Sequence, residues 1–272
     1  MQEGSVGVVG LFGAGGAIGH SLAPVLEGRG IAYRVVGRDP ERMRREFPRA
    51  QASSADFLIG DGATEAANGI DTIVYLAGAP YTNFEQHPVM TGNALRAARE
   101  AGVKRFVHVA PVYSYGPAAS AQVPESVAHE PTTKKGRFRL EQERLVLSAD
   151  GQGMRTLVMH LPDFYGPHAD NGFANYFMRE AVAGKPATFI GPLDVKRDFA
   201  FVPDAAEPLL DLAGLDDAYG SCWNLGGFAP IAGNEACRHR LRRPRAPEAR
   251  AGCVKNHVAR RRSLRRNDAR TG

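Results

Sequence analysis

The sequence predicts an α/β fold in which helices cover both faces of a doubly wound parallel sheet, with a small C-terminal lobe beside it. Three observations support this prediction. Strand-like and helix-like segments alternate over the first two thirds of the chain, as in a parallel sheet with crossover helices. A glycine-rich loop at residues 10–22 joins the first strand-like segment to the first helix-like segment. After Pro162 the alternation loosens into shorter segments, which we assign to the lobe.

The predicted elements follow the apolar runs and the glycine and proline residues that interrupt them. Strands are predicted at residues 6–12, 32–37, 57–59, 71–76, 105–110 and 155–160. Helices are predicted at residues 17–27, from Pro40 onward, in a segment that contains residues 93–100, and at residues 136–148. In the lobe we expect helices at residues 174–183 and 205–212 and short strands at residues 187–190 and 198–202.

Length and composition set the broad class of protein. A chain of 272 residues with 43% hydrophobic residues can bury one large core. No apolar run approaches the roughly 20 residues that span a bilayer, and the first residues lack the basic segment of a signal peptide. We therefore expect a cytoplasmic protein without a membrane partner. Cys222, Cys237 and Cys253 form no CxxC pair, so neither a disulfide framework nor a metal site is predicted.

The net charge of +5 is unevenly distributed. Residues 238–272 hold 13 of the 34 basic and two of the 29 acidic side chains, so this segment is strongly basic and the rest of the chain is acidic. The segment has no periodic apolar face, and we expect it to be disordered. A genuine tail, an arm that binds nucleic acid, and an end altered by a frameshift in the gene are all compatible with this composition. Because nucleic-acid binding rests on charge alone, no such partner is predicted.

The spacing of glycines in the loop predicts a dinucleotide site. Gly13, Gly16 and Gly19 lie three residues apart, between the first strand and the first helix. Unpaired backbone N–H groups and the helix dipole favour an anion there, and glycine lets the backbone approach a pyrophosphate closely. Ala17 and Ile18 belong to the same site; a flexible turn is the alternative interpretation. Residues 1–160, with a return segment at about 198–227, then form an NAD(P)-binding domain, and residues 161–197 form the substrate lobe.

The residues after the second predicted strand bear on the choice of cofactor. Arg38 follows that strand, where an arginine suits the 2′-phosphate of NADP and an acidic residue suits the ribose of NAD. Asp39 is its neighbour and keeps NAD possible. We predict NADP.

The ordered motifs resemble those of the extended and atypical short-chain dehydrogenase/reductase superfamily, the NAD(P)-dependent epimerase/dehydratase group. The resemblance runs from about residue 6 to residue 227 and includes GxxGxxG, PVYSYGP, PDFYGP and RDFAFVPDAAEPLL. It implies a Rossmann-type fold. It also implies that Asp61 contacts the adenine amino group and that the turn formed by Leu76, Ala77 and Gly78 lies against the cofactor.

The resemblance fails at the family's catalytic positions. Pro111 stands at the usual serine or threonine. Setting Glu143 against the family's helix glutamate places Lys135 at the tyrosine position and Arg139 at the lysine position. Lys135 is a candidate acid/base only if its surroundings tune it, and a solvated pair with Lys134 is the alternative.

Two tyrosines and a histidine lie near these catalytic positions. Tyr113 is a candidate replacement for the missing hydroxyl, whereas Tyr115 is expected to be structural. His160 stands where related sequences carry arginine, and we expect it to pack against the sheet.

Two function classes remain open from the sequence. One is an NAD(P)-dependent oxidoreductase, or an epimerase/dehydratase-like enzyme, acting on a small polar carbonyl or hydroxyl compound, in which the cofactor carries the hydride chemistry. The alternative is a non-catalytic dinucleotide-binding protein with a regulatory or redox-sensing role. A small-molecule substrate is the expected partner, and a homodimer is left open. Oxidation of bound NADPH distinguishes the two classes.

Overall fold

A seven-stranded parallel sheet forms the centre of the molecule in this computed structural model, which describes residues 5–118, 120–170, 172–186, 188–240 and 254–255. The strands are β1 (Val9–Phe12), β2 (Tyr33–Gly37), β3 (Gln51–Ser54), β4 (Thr72–Tyr75), β5 (Arg105–Pro111), β6 (Arg155–Leu161), β7 (Asp163–Tyr165), β8 (Thr188–Phe189), β9 (Lys196–Arg197), β10 (Phe199–Phe201), β11 (Cys222–Asn224), β12 (Ile231–Ala232) and β13 (Val254–Lys255). The helices are α1 (Ala17–Gly28), α2 (Pro40–Glu46), α3 (Ala63–Ala67), α4 (Gln86–Glu100), α5 (Lys134–Ser148), α6 (Phe173–Val182), α7 (Val202–Ala213) and α8 (Gly233–Arg240).

The strand order of the central sheet is β11-β6-β5-β4-β1-β2-β3, and every pairing in it is parallel. The chain winds outward from β1 to β3, returns to β4 on the other side of β1, and then winds outward again. This reversal between β1 and β4 is the switch point at which an open α/β sheet forms a ligand crevice. The Rossmann-type parallel fold predicted from the sequence is confirmed.

Apolar side chains cover both faces of the sheet. On one face Leu11 of β1 belongs to a core with Leu22 of α1 and Leu209 of α7. On the other face Phe12 belongs to a core with residues of α3, α4 and α5, including Ala98. Alternate residues of β1 therefore enter opposite cores, as the pleat of a strand requires. All four residues of β1 and of β4 are buried, which is typical of central parallel strands.

The prediction of a third strand at residues 57–59 is wrong. The third strand is β3, and residues 57–59 form a turn after it. Within the described residues β3 pairs only with β2, and its Gln-Ala-Ser-Ser sequence is half-exposed or exposed because it lies at the edge of the sheet. Phe57 is buried against Phe12, with ring centroids 5.2 Å apart, but it reaches the core from the turn. Its apolar character therefore marked a core contact and not a strand.

The other predicted elements of the first 160 residues lie at or near the expected positions. The helix predicted to contain residues 93–100 begins at Gln86. Pro88 is tolerated in its first turn, because a missing N–H leaves no helical hydrogen bond unmade there. The helix predicted from residue 136 begins at Lys134. Its N-cap is Thr133, whose hydroxyl accepts a hydrogen bond of 3.0 Å from the N–H of Gly136.

Beyond β6 the chain forms short elements. β7 pairs with β10, β9 with β12 and β8 with β13, while α7 packs on α1 and β11 returns to the edge of the central sheet. Of the predicted strand at residues 187–190, residue 187 lies outside the described residues. The basic tail predicted from residue 238 begins inside α8; apart from residues 254–255, the remainder lies outside the described residues. No helix in the described part of the chain is long and apolar enough to cross a membrane.

Candidate functional site

The glycine-rich loop connects β1 to α1 at the switch point of the sheet. Gly13 has a φ of +89°, and a Cβ built on it would lie 2.6 Å from the Cα of Ala77. A Cβ on Gly19 would lie 2.1 Å from the carbonyl oxygen of Ala14. Both positions therefore need glycine for the path of the chain itself. Gly16 differs, because a Cβ there would meet no atom within 4 Å.

The N-terminus of α1 opens onto the free space at Gly16. Gly16 is the N-cap, no side chain caps the helix, and its first turn has no acidic residue. The side chains of Ala17 and Ile18 pack against Ala169 and Val202, so the predicted residues offer their backbone N–H groups and not their side chains. Unpaired N–H groups at the positive end of a twelve-residue helix form an anion site.

Backbone hydrogen bonds hold the loop between two strand ends. The N–H of Gly13 donates to the carbonyl of Val36 in β2 at 2.8 Å, and the N–H of Leu76 donates to the carbonyl of Phe12 at 2.8 Å. Leu76, Ala77 and Gly78 follow β4 directly, and Ala77 touches the loop at Gly13. The predicted cofactor residues of the two segments therefore meet at the carboxyl edge of the sheet.

Arg38, Asp39 and Arg42 follow β2 and determine the charge at this edge of the sheet. Arg38 is exposed, and no hydrogen bond or ion pair involves it among the described residues. The carboxylate of Asp39 caps α2 by accepting a 2.9 Å hydrogen bond from the N–H of Arg42. The guanidinium of Arg42 donates to the carbonyl of Gly15 in the loop at 3.2 Å and to Glu46 at 2.7 Å. Arg42 was not predicted from the sequence, because its contact with Gly15 forms only when α2 packs beside the loop.

Asp61 lies at the same edge of the sheet, in the turn that follows β3. It is exposed, and its carbonyl oxygen accepts a 3.0 Å hydrogen bond from the N–H of Asp56. The side-chain amide of Asn93 donates to the carbonyls of Phe57 and Leu58 and so fixes the turn to α4. The Asp61 side chain is exposed at the edge of the sheet that also carries the glycine-rich loop.

Two of the three candidate catalytic residues, Lys135 and Arg139, lie against one aromatic ring, that of Phe84. The Nζ of Lys135 lies 5.1 Å from the centroid of this ring and 2.9 Å from the centroid of Tyr81. The guanidinium carbon of Arg139 lies 5.0 Å from the same Phe84 centroid. Such cation–π contacts hold both cations against the ring. Lys135 and Arg139 face the segment that follows β4, which is the segment that also carries Gly78.

Arg139 and Tyr113 have shifted pKa values. Burial lowers the pKa of Arg139 to about 10, which leaves the guanidinium charged at neutral pH. Its Nη1 donates to Gln142 at 2.8 Å, and within the described chain its buried Nε has no hydrogen-bond partner. Burial, with the carboxylate of Asp163, raises the pKa of Tyr113 to about 12, against the opposing effect of Arg139. The Tyr113 hydroxyl therefore stays protonated at neutral pH and can donate a hydrogen bond.

The sequence model of the NAD dependent epimerase/dehydratase family matches residues 9–226. This match spans the glycine loop, both cores and the return segment, so the chain belongs to that family. The resemblance inferred from the motifs is confirmed. No curated protein matches the chain at a significant level.

Solved structures show the same fold. The chain is 25% identical to MoeE5 in complex with UDP-glucose and NAD, with a TM-score of 0.74 over 86% of this chain and 81% of that chain. A UDP-glucuronic acid 4-epimerase from Bacillus cereus in complex with NAD is 19% identical, with a TM-score of 0.76 over 91% and 87%. A dTDP-glucose 4,6-dehydratase from Bacillus anthracis in complex with NAD is 15% identical, with a TM-score of 0.78 over 92% and 85%.

Proposed function

We propose that this chain is an NAD(P)-dependent enzyme of the epimerase/dehydratase family that acts on a sugar nucleotide and prefers NADP. The observation that carries the proposal is the open N-terminus of α1 at Gly16, framed by Gly13 and Gly19. A Cβ at Gly16 would fill part of that space. The unpaired backbone N–H groups and the positive end of the helix dipole suit the negative charge of a pyrophosphate. The sugar-nucleotide class is supported by the solved relatives, whose complexes contain UDP-glucose or UDP-glucuronic acid together with NAD.

The preference for NADP rests on charge at the end of β2. Arg38 is exposed and without a partner among the described residues, and Arg42 reaches the glycine loop. One oxygen of the Asp39 carboxylate caps α2 and the other stays open to a ribose hydroxyl, so the preference for NADP rests on the two arginines. Two guanidinium groups at this point favour a 2′-phosphate over a 2′-hydroxyl.

Titration of the purified chain with NADPH and with NADH, followed by cofactor fluorescence, tests this preference. Replacing Arg38 or Arg42 with Ala weakens NADPH binding by about 10- to 100-fold, since each loses charge-assisted hydrogen bonds of about 1.5–3 kcal/mol. NADH binding changes little because NADH lacks the phosphate.

Arg34→Ala is the matched control. Arg34 lies at the other end of β2, where its Nη1 contacts the carbonyl of Asn68. The NADP assignment is contradicted if the unaltered chain binds NADPH and NADH equally well and neither Arg38→Ala nor Arg42→Ala changes the affinity. The protein would then be an NAD enzyme.

When bound, NADP supplies hydride transfer. The role proposed for Lys135 is to exchange a proton with the substrate oxygen, since Pro111 has no hydroxyl and the family's tyrosine position is occupied by the lysine. Tyr113, protonated at neutral pH, donates a hydrogen bond to the same oxygen. Arg139 contributes positive charge beside them and a donor toward the nicotinamide ribose. The comparisons offer no support for the non-catalytic alternative, which predicts that bound NADPH is never oxidised.

A further inference from the structure

Three side chains of metal-ligand type converge beside β6, and none of them has been assigned to the reaction. They are His129, in the loop before α5, Glu143 of α5 and His160 of β6. The Nδ1 of His129 lies 2.7 Å from one oxygen of Glu143, and the Nε2 of His160 lies 3.1 Å from the other oxygen. One donor atom from each residue can be chosen so that all three lie within 4.8 Å of one another.

The cluster is enclosed. The side chains of His160, Glu143 and His129 are 0%, 6% and 11% exposed. The ring of Tyr115 covers them, with its centroid 4.0 Å from that of His129 and 5.0 Å from that of His160. A carboxylate buried between two imidazoles needs hydrogen-bond donors or a positive charge beside it, because an unpaired ion in a protein interior is costly.

The arrangement does not fit a nucleophilic relay. Ser114 Oγ lies 3.3 Å from the Nε2 of His160, which is the same nitrogen that contacts Glu143. A relay needs the hydroxyl on one ring nitrogen and the carboxylate on the other. The three residues therefore do not form a chain of proton transfers.

We propose that His129, Glu143 and His160 bind a divalent transition-metal ion, for which Zn²⁺ is the best match. Two imidazole nitrogens and one carboxylate oxygen are a ligand set that zinc uses, with bonds of about 2.0–2.2 Å. Such bonds separate the ligand atoms of a tetrahedral site by about 3.4 Å. The two imidazoles contact different oxygens of Glu143, so binding requires these short contacts to widen and one donor atom from each residue to converge from within 4.8 Å of the others. Imidazole ligands disfavour Mg²⁺ and Ca²⁺.

Three protein ligands leave one coordination position for solvent or a small exogenous ligand. His129 is the most exposed of the three, so the ion enters past this residue. The thiol of Cys222, on β11, interacts with the Glu143 carboxylate but is not a member of the three-residue group. The bound ion ties the loop at His129, helix α5 and strand β6 together, and α5 is the helix that carries Lys135 and Arg139.

The test measures metal binding by the full chain after it has been stripped with a chelator and dialysed. Co²⁺ is added and its visible absorption is recorded, and Zn²⁺ is then titrated in competition. We expect one Co²⁺ per chain with the spectrum of a four-coordinate site, displaced by Zn²⁺. His129→Asn lowers the affinity at least about tenfold, since removal of a direct ligand exceeds the loss caused by an outer-shell change.

A second substitution reports coordination directly. His129→Cys keeps a ligand at this position and adds a thiolate-to-cobalt charge-transfer band, whereas a purely structural histidine gives no such band. His168→Asn is the control, because His168 lies outside the cluster and its loss leaves binding unchanged. Circular dichroism without metal establishes that each variant is folded. Absence of Co²⁺ binding, or Co²⁺ binding that His129→Asn and His129→Cys leave unaltered, overturns the proposal and makes the cluster an ion-pair network.

Discussion

At the scale of single residues, His87 of α4 holds the segment that follows β4. Its Nε2 accepts a 3.2 Å hydrogen bond from the N–H of Ala79, and its Nδ1 lies 2.9 Å from the carbonyl of Phe84. These partners fix the neutral ring with its proton on Nδ1, since Nε2 must accept. Burial, with a smaller effect of Arg139, lowers the pKa of His87 to about 4.

Stability is therefore predicted to fall when the pH drops below about 6.5. The unfolded chain takes up a proton at His87 near pH 6.5, whereas the folded chain does so only near pH 4. The neutral ring's contribution is complete above pH 6.5, and about 2 kcal/mol of it is lost by pH 5. Urea unfolding at pH 7 and pH 5 measures this loss. We expect the His87→Gln variant to lose less unfolding free energy between pH 7 and pH 5 than the unaltered chain. The control His168→Gln, at an exposed histidine, loses as much as the unaltered chain. Equal losses in all three proteins would contradict the assignment of the effect to His87.

Residue spacing predicted part of the site. The spacing of Gly13, Gly16 and Gly19 indicated the loop, because the constraint on each glycine is local. Arg42 was missed because its contact with Gly15 depends on how α2 packs. The cluster of His129, Glu143 and His160 was missed for the same reason, since its members lie 14 and 17 residues apart and meet only in the folded chain.

At the scale of elements, α5 presents two neighbouring lysines to different surroundings. Lys135 lies against Tyr81 and Phe84, in the segment between β4 and α4. The Nζ of Lys134 instead lies 5.7 Å from the ring of its helix neighbour Phe138. This difference separates the catalytic interpretation of Lys135 from that of a solvated lysine pair.

Substituting each lysine with Met distinguishes these interpretations. Lys135→Met lowers the rate of NADPH oxidation, or of sugar-nucleotide conversion, at least about 100-fold because a proton-transfer group is lost. NADPH affinity stays within about twofold. Lys134→Met leaves both quantities unchanged. UDP-glucose, UDP-glucuronic acid and dTDP-glucose are the substrates to assay, and a Lys135→Met variant that retains the full rate would remove this residue from the mechanism.

The apolar pattern of the sequence predicted the buried central strands correctly but did not predict the strands at the edges of the sheet. β1 and β4 are continuous apolar runs because both of their faces are covered. β3 is polar because it is an edge strand, and β11 is only three residues long, so neither has an apolar pattern to detect. The apolar segment at residues 57–59 was misassigned because a core-facing turn and a short strand have the same composition.

At the scale of the whole molecule, the strand order brings separate segments of the sequence to one edge. The glycine loop, the arginines after β2, Asp61 after β3 and the turn after β4 all lie at carboxyl ends of parallel strands. That arrangement follows from βαβ connections and could be predicted from the alternation of elements. The contacts between Lys135, Arg139 and the ring of Phe84 depend on side-chain packing between α5 and the segment after β4, which no periodic pattern encodes.

The central claim is that a dinucleotide pyrophosphate binds at the N-terminus of α1, and Gly16→Val tests it most directly. Gly16 has a φ of −99° and open space at its Cβ position, so the backbone accepts valine and the fold is preserved. We expect this variant to keep its unfolding temperature within a few degrees and to lose at least about tenfold in NADPH affinity, because the valine occupies the phosphate's place. Unchanged NADPH affinity in a folded Gly16→Val variant would contradict the claim.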